Sequence, residues 1–132
     1  MYLDAASDLR DDLPMALPWW LPLGAVPEIP PRQLAGDLAN APAPQVVDVR
    51  TGAEFARGHV RGAISVPISA LPRRLEALGL DRGRRVVAIC LTAHRSIPAV
   101  RLLRRAGFDA VQLAGGMLAW RAAGFPEEKG RS

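Results

Sequence analysis

The sequence predicts an α/β fold in which a central, mostly parallel sheet is covered by helices on both faces. Strand-like and helix-like segments alternate from residue 28 onward, which is typical of a parallel sheet with crossover connections. The strand segments are short apolar runs, such as Val86–Ile89, and runs of this kind indicate strands buried on both faces. No internal repeat is present, so a single domain of this class is expected.

The elements follow one another in a regular order. In chain order we predict helix 31–39, strand 45–49, a short helix Gly52–Arg57, strand 63–66, helix 69–78, strand Val86–Ile89, helix Ser96–Arg105, strand Ala110–Leu113 and a closing helix 116–123. Ser96 is a suitable N-cap, and Pro98 is tolerated in the first turn of its helix. Because ligands of such sheets bind beyond the carboxyl ends of the strands, the loop after Val86–Ile89 is the expected position of a site.

Length and composition are those of one globular domain. The 132 residues are 49% hydrophobic and 23% charged, with a formal net charge of +4, and a chain of this length can bury one core. Lys129 is the only lysine among the 17 basic residues. Arginine binds oxyanions through its planar fork, so an anionic substrate is reasonable, with a general arginine-rich composition as the alternative explanation. Interleaved charges and 5% aromatic residues argue against a nucleic-acid partner.

Three regions are expected along the chain: an N-terminal extension at 1–24, a domain at 25–127 and a C-terminal tail at 128–132. The extension is rich in proline and tryptophan, so it is predicted to be partly extended rather than helical. The uncharged run at 14–27 is interrupted by prolines and is too short to span a bilayer, and residues 1–13 lack the basic start of a signal peptide, so no membrane location is expected. We expect Trp19 and Trp20 to pack on their own domain, with a homodimer contact or a membrane-surface contact as alternatives.

Cys90 is the only cysteine, and its position makes it the candidate nucleophile. It lies between the strand Val86–Ile89 and the helix Ser96–Arg105, where unpaired backbone N–H groups and the helix dipole favour a thiolate. Such a loop also suits an anionic ligand. One cysteine and two histidines exclude a disulfide framework and argue against a metal site. A reduced cytoplasmic environment is the simplest setting for a working free thiol.

Three blocks of sequence resemble the single-domain rhodanese-like sulfurtransferases over residues 25–126. They are DVR at 48–50 with EF at 54–55 and GHVRGAISVP at 58–67, then CLTAHRS at 90–96, then LAGGMLAW at 113–120 with GFP at 124–126. The resemblance implies a rhodanese-like fold and a thiosulfate-type sulfurtransferase that carries a sulfane sulfur as a persulfide on Cys90. A small sulfur-containing anion or a persulfide would be the donor, an external thiol or cyanide the acceptor, and no cofactor would be needed.

The resemblance also implies roles for the residues around the cysteine. Arg95 would be catalytic, supporting the anionic sulfur by charge-assisted hydrogen bonds, with a structural ion pair as the alternative. Amides of the loop would stabilise the developing charge as an oxyanion hole does. The substrate-binding loop comprises Leu91, Thr92, Ala93, His94 and Ser96. Structural support is expected from Asp48, Arg50, Glu54, His59, Gly115 and Gly116.

The loop departs from the commoner family pattern at two positions. Leu91 stands where a basic residue often follows the cysteine, and Ala93 stands where glycine is common. The first change weakens the case for dianionic thiosulfate, and the second restricts the loop if residue 93 is left-handed. His94 would add positive charge or act as an acid or base toward an acceptor thiol, with a simple spacer as the alternative.

Two other functions are considered. A phosphatase or arsenate reductase of the related cell-cycle phosphatase type would have one more residue between the cysteine and the arginine than the four that separate Cys90 from Arg95. A rhodanese-like binding or sulfur-sensing module with little turnover is the second alternative, because fold alone does not imply function.

Overall fold

The computed structural model describes Trp19, Leu21 and residues 24–131. The strands of this part are β1 (Glu28–Ile29), β2 (Gln45–Asp48), β3 (Ile64–Ser65), β4 (Val86–Ile89) and β5 (Ala110–Leu113). They form one sheet in the order β1-β5-β4-β2-β3, and every pairing between neighbouring strands is parallel. The predicted α/β class with a parallel sheet is confirmed.

The helices connect these strands. They are α1 (Pro31–Leu38), α2 (Gly52–Arg57), α3 (Leu71–Arg74), α4 (Ser96–Arg105) and α5 (Gly116–Ala122), with 3-10 turns at Ile68–Ala70 and Glu76–Leu78. Most predicted bounds agree with these to within one residue at each end. The single helix predicted over 69–78 is instead divided into a 3-10 turn, α3 and a second 3-10 turn. Pro72 accounts for the first division, because it has no N–H to extend a helix begun before it. Strand β1 was not predicted, since two residues are too few to show a pattern.

Two hydrophobic cores lie on opposite faces of the sheet, because successive strand residues point to opposite sides. Val47, Val86 and Ala88 pack with α3 and α4 on one face. Val46 and Val87 pack with α1 and α5 on the other face. Helices therefore cover both faces, as predicted, and each fully buried aliphatic side chain contributes about 1.5–3 kcal/mol to this packing.

The sheet brings two loops to one edge. Asp48 at the end of β2 is in register with Ile89 at the end of β4, and the N–H of Val49 donates to the carbonyl of Ile89 at 2.9 Å. The segments that follow β2 and β4 therefore leave the sheet side by side. Cys90 begins the second of these segments, so the predicted nucleophile lies at the carboxyl edge of the sheet.

The structure describes part of the N-terminal segment and nearly all of the C-terminal segment. Trp19 is half-buried, whereas Trp20, and with it the predicted contact of the Trp19–Trp20 segment, lies outside the described residues. At the other end, the backbones of Glu128 and His59 exchange two hydrogen bonds of 2.8 Å, and the N–H of Gly130 donates to the carbonyl of Ala56 at 2.8 Å. The segment predicted as a tail is thus joined to the domain beside α2. Among the described helices, none has the length and apolar character needed to cross a bilayer.

Candidate functional site

The sulfur of Cys90 lies in a cradle of backbone N–H groups. The N–H groups of Ala93 and His94 donate to Sγ at 2.9 and 3.1 Å. The residue is buried, with 1% of its surface exposed. Of the loop amides that the sequence offered as donors, these two are the ones directed at the sulfur. Hydrogen bonds of this kind favour the charged form of their acceptor, so the cradle is suited to a thiolate or to a persulfide anion.

Ala93 gives this loop its shape. Its φ of +88° makes it the one non-glycine residue with positive φ in the described part of the chain. A left-handed residue turns its own N–H and the following N–H toward a common centre, which is how backbone amides form an anion-binding nest. Ala93 therefore adopts a left-handed conformation without the freedom of glycine, at a strain of about 1–3 kcal/mol.

The hydroxyl of Ser96 joins the sulfur to a chain of polar side chains that begins in the interior and ends at the exposed Glu28. Ser96 Oγ lies 3.5 Å from Cys90 Sγ and donates to Oε1 of Gln112 at 2.6 Å, and Gln112 Nε2 donates to Glu28 Oε1 at 3.0 Å. Because the single hydroxyl proton is given to Gln112, a neutral thiol at Cys90 would donate its proton to Ser96 Oγ.

This arrangement corrects the sequence prediction for Ser96. The N-cap of α4 is Arg95, with no side-chain cap, and Ser96 is the first helical residue, drawn inward by the buried Gln112 amide. Gln112 was not among the predicted site residues. A lone polar residue within the apolar strand Ala110–Leu113 is the signal that could have identified it.

Arg95 is held by Glu54. Its Nη1 and Nη2 donate to the two carboxylate oxygens at 2.7 and 3.0 Å. The hydrogen bonds from Arg95, joined by one from the Thr51 backbone, lower the pKa of Glu54 to about 2 against an opposing effect of burial. Glu54 in turn raises the pKa of Arg95, with a smaller contribution from Cys90. The ion pair that the sequence left as the alternative role of Arg95 is therefore present, and it ties Glu54 to the cysteine loop.

Glu54 has a second function in the fold. With Thr51 it forms a capping box at the start of α2, in which the Thr51 side chain accepts from the Glu54 N–H and the Glu54 carboxylate accepts from the Thr51 N–H. This double hydrogen bond satisfies the free amides of the helix start. One carboxylate therefore caps α2 and holds the arginine that precedes α4.

The remaining loop side chains face outward to different degrees. Thr92 Oγ1 and His94 Nδ1 lie 3.0 Å apart, and both residues are exposed. Leu91 is half-buried and packs against the core formed with α1 and α5. The crest of the loop is thus polar, while the position after the cysteine is anchored by an apolar side chain.

Asp48, Arg50 and His59 are buried supports beside the site. Arg50 pairs with Asp48 at 2.7 Å and donates to the carbonyl of Gly58 at 2.7 Å. The His59 ring stacks on Phe55 with centroids 3.7 Å apart, and its Nδ1 lies 2.8 Å from the Phe55 carbonyl oxygen. These contacts bind the segment after β2 to α2, and they do not involve the sulfur of the loop.

The start of α5 is fitted against the cysteine loop. The N–H groups of Met117 and Leu118 donate to the carbonyls of Cys90 and Leu91 at 2.8 and 3.1 Å. Gly116 has φ of +60°, and a Cβ there would collide with the Cys90 carbonyl and the Leu91 backbone. Glycine is required at this position both for its conformation and for the close approach.

A cavity of about 500 Å³ opens next to the loop. Three of its lining residues, Arg50, Glu54 and Leu91, belong to the features described above. The other lining residues are Arg57, Arg121, Glu127 and Lys129. No group of three His, Cys, Asp or Glu side chains in the described part of the chain could hold a metal ion.

Comparison with known proteins places this geometry in a family. The family model described as "Rhodanese-like domain" matches residues 31–123. A sulfurtransferase of Allochromatium vinosum is 35% identical over 102 residues, which cover 76% of this chain and 94% of that protein. The crystal structure of a rhodanese-related protein from Thermoplasma volcanium superposes with a TM-score of 0.70 at 29% identity, covering 77% of this chain and 97% of that chain.

A further relative is named as a regulator of transcription. An HTH-type transcriptional regulator of Mycobacterium tuberculosis is 44% identical over 87 residues, which cover 64% of this chain. The match spans only 38% of the length of that regulator, so the similarity concerns one part of a longer protein.

Proposed function

The chain belongs to the rhodanese-like domain family, and on that premise we propose that it is a sulfurtransferase that carries a sulfane sulfur as a persulfide on Cys90. The observation that carries the proposal is the cradle in which Ala93 and His94 donate to Sγ at 2.9 and 3.1 Å. Two preorganised donors on a sulfur at a strand end favour an anionic sulfur nucleophile. The A. vinosum relative, named a sulfurtransferase, supports the same reaction class.

The loading step is a displacement at sulfur. The Cys90 thiolate attacks the outer sulfur of the donor, a new S–S bond forms, and the bond to the donor group breaks with its electron pair leaving on that group. With thiosulfate the leaving group is sulfite, and the total charge is unchanged. Because the step is covalent and the acceptor reacts later, ping-pong kinetics are expected.

The side chains of the loop bear on the choice of donor. Leu91 supplies no charge where a basic residue would attract a dianion, and Arg95 is already paired with Glu54. These features favour a small sulfur-containing monoanion or a persulfide over thiosulfate as the best donor. A reducing compartment such as the cytoplasm would keep the single cysteine free for this reaction.

A second candidate function is a binding or sulfur-sensing module with little turnover. The observation that favours it is the similarity to part of a transcriptional regulator.

Intact-protein mass spectrometry tests the proposal. The protein is incubated separately with thiosulfate, mercaptopyruvate and a persulfide donor, and we expect the addition of one sulfur atom that disappears when cyanide is added. Cys90→Ser is the control, and it should remain folded by circular dichroism and gain no sulfur. Absence of the adduct with all donors would overturn the sulfurtransferase proposal, and a stable adduct that no acceptor discharges would favour the sensing module.

A further inference from the structure

We propose that the cavity beside the Cys90 loop binds the carboxylates of a small acidic thiol, which serves as the sulfur acceptor. This inference rests on the proposed function, and it adds the chemical class of the second substrate and the residues that recognise it. The cavity is lined by four basic and two acidic side chains, so its lining has a net positive charge. Its volume of about 500 Å³ lies in the usual range for small-molecule sites.

Most of the charges in the cavity are already paired with protein groups. Arg50 is bound to Asp48 at 2.7 Å, and Arg121 to Glu127 at 2.9 Å. The remaining acidic lining residue, Glu54, is occupied by an arginine of the cysteine loop. Two of the four basic lining residues are therefore not part of these ion pairs.

Those two side chains are Arg57 and Lys129. Neither has an ion-pair partner among residues 24–131, and both are exposed at the cavity. Two unneutralised cations in the lining of one cavity are suited to a ligand with carboxylates, which accept charge-assisted hydrogen bonds from guanidinium and ammonium groups.

The backbone that carries both cations is held in place by hydrogen bonds. Arg57 is the last residue of α2. Lys129 lies between Glu128 and Gly130, whose backbone N–H groups donate to the carbonyls of His59 and Ala56 at 2.8 Å. The pair is thus held by hydrogen-bonded segments on either side, and it is not left on a free chain end.

The cavity also adjoins the cysteine loop. Leu91 follows Cys90 directly, and Glu54 holds the end of the same loop, and both line the cavity. An acceptor whose carboxylates bind Arg57 and Lys129 could direct its thiolate at the persulfide. The acceptor sulfur then bonds to the outer sulfur, the S–S bond to Cys90 breaks, and its electron pair stays on Sγ. The products are the acceptor persulfide and the free Cys90 thiolate, so no oxidant or reductant is consumed.

The test separates binding from turnover. S-methylglutathione, a tripeptide with two carboxylates and no free thiol, is titrated into the protein by calorimetry at low ionic strength. We expect it to bind the wild-type protein and to bind Arg57→Gln/Lys129→Gln about tenfold more weakly, because two ion pairs at an exposed site are lost. Arg73→Gln is the matched control, since Arg73 is exposed on α3 and does not line the cavity, and it should change the affinity less than about twofold.

A second measurement follows discharge of the loaded protein. The Cys90 persulfide is formed first, and its loss is then timed with glutathione and with glutathione diethyl ester, whose carboxylates are blocked. The double variant should slow discharge by glutathione about tenfold and leave discharge by the ester unchanged.

The outcomes distinguish the two proposals. Equal binding of S-methylglutathione by the double variant and the wild type, or no binding by either, would overturn the acidic-acceptor site. Failure to form any persulfide would overturn the proposed function and leave the binding result to decide the ligand class of the cavity. Equal discharge rates with glutathione and its diester would show that carboxylates play no part in acceptor recognition.

Discussion

Both carboxylate oxygens of Glu54 accept hydrogen bonds from the guanidinium of Arg95, at 2.7 and 3.0 Å. The pair links α2 to the residue that caps α4, across 41 positions of the chain. The Arg95 and Glu54 side chains are 35% and 24% exposed, so the pair is partly screened by solvent. Its importance lies in geometry, because it fixes the end of the loop that surrounds Cys90.

Glu54→Gln should slow persulfide formation more than it destabilises the fold. The substitution removes the charge that positions Arg95, and we expect a roughly tenfold slower loading step with about 1 kcal/mol lost in the free energy of unfolding. Stopped-flow loading and urea denaturation measure the two effects. Asp109→Asn, which breaks the exposed pair with Arg85, is the control and should change both little. An unchanged loading rate beside the same stability loss would assign Glu54 a purely structural role.

The Glu54 carboxylate should also make stability depend on pH in a defined window. Its pKa is lowered from 4.5 to about 2 in the folded state, so the unfolded chain takes up the proton first as the pH falls. The stabilisation is fully present above the unfolded value of 4.5 and is lost as the pH falls toward 2. The difference in unfolding free energy between the wild type and Glu54→Gln should therefore shrink across this window. A difference that stays constant would contradict the assignment.

Ala93→Gly should stabilise the protein. Glycine adopts the observed φ of +88° without the strain that alanine bears there, and this gain exceeds the added entropy of the unfolded chain, for a net change of about 0.5–1 kcal/mol. Ala53→Gly, in the exposed face of α2, is the matched control and should destabilise by about 0.5–1 kcal/mol. Calorimetric unfolding compares them, and the same sign of change at both positions would contradict the role of Ala93.

Gly116→Ala should be far more damaging than Gly62→Ala. Both glycines have positive φ, at +60° and +81°, but a Cβ at Gly116 meets the backbone of Cys90 and Leu91 whereas one at Gly62 meets open space. We expect a loss of about 3 kcal/mol or more for Gly116→Ala and about 1 kcal/mol for Gly62→Ala. Denaturant midpoints give the comparison, and equal losses would mean that only backbone conformation matters at Gly116.

The succession of strands and helices along the chain could be predicted well from the sequence, for identifiable reasons. Continuous apolar runs such as Val86–Ile89 are informative because a strand buried on both faces has no polar alternation. The break at Pro72 and the short β1 were missed because they depend on one proline and on pairing with β5. Local patterns therefore describe the long elements better than the short ones.

The site was predictable in its position and less so in its contacts. The place of Cys90 between a strand and a helix indicated the cradle of amides that the structure shows. The inward turn of Ser96 toward Gln112, and the hold of Glu54 on Arg95, are contacts between residues far apart in the chain. Such partners follow from the packing of the sheet, and no spacing in one sequence specifies them.

The hydrogen bonds from Met117 and Leu118 to the carbonyls of the cysteine loop limit how this site could be transplanted. Residues 90–96 take their shape partly from the first turn of α5, which follows α4 and β5 along the chain. A protein engineer who copied only those seven residues onto another parallel sheet would lose the partners of two carbonyls and the glycine that admits them. The portable unit is the loop together with the turn that begins at Gly115.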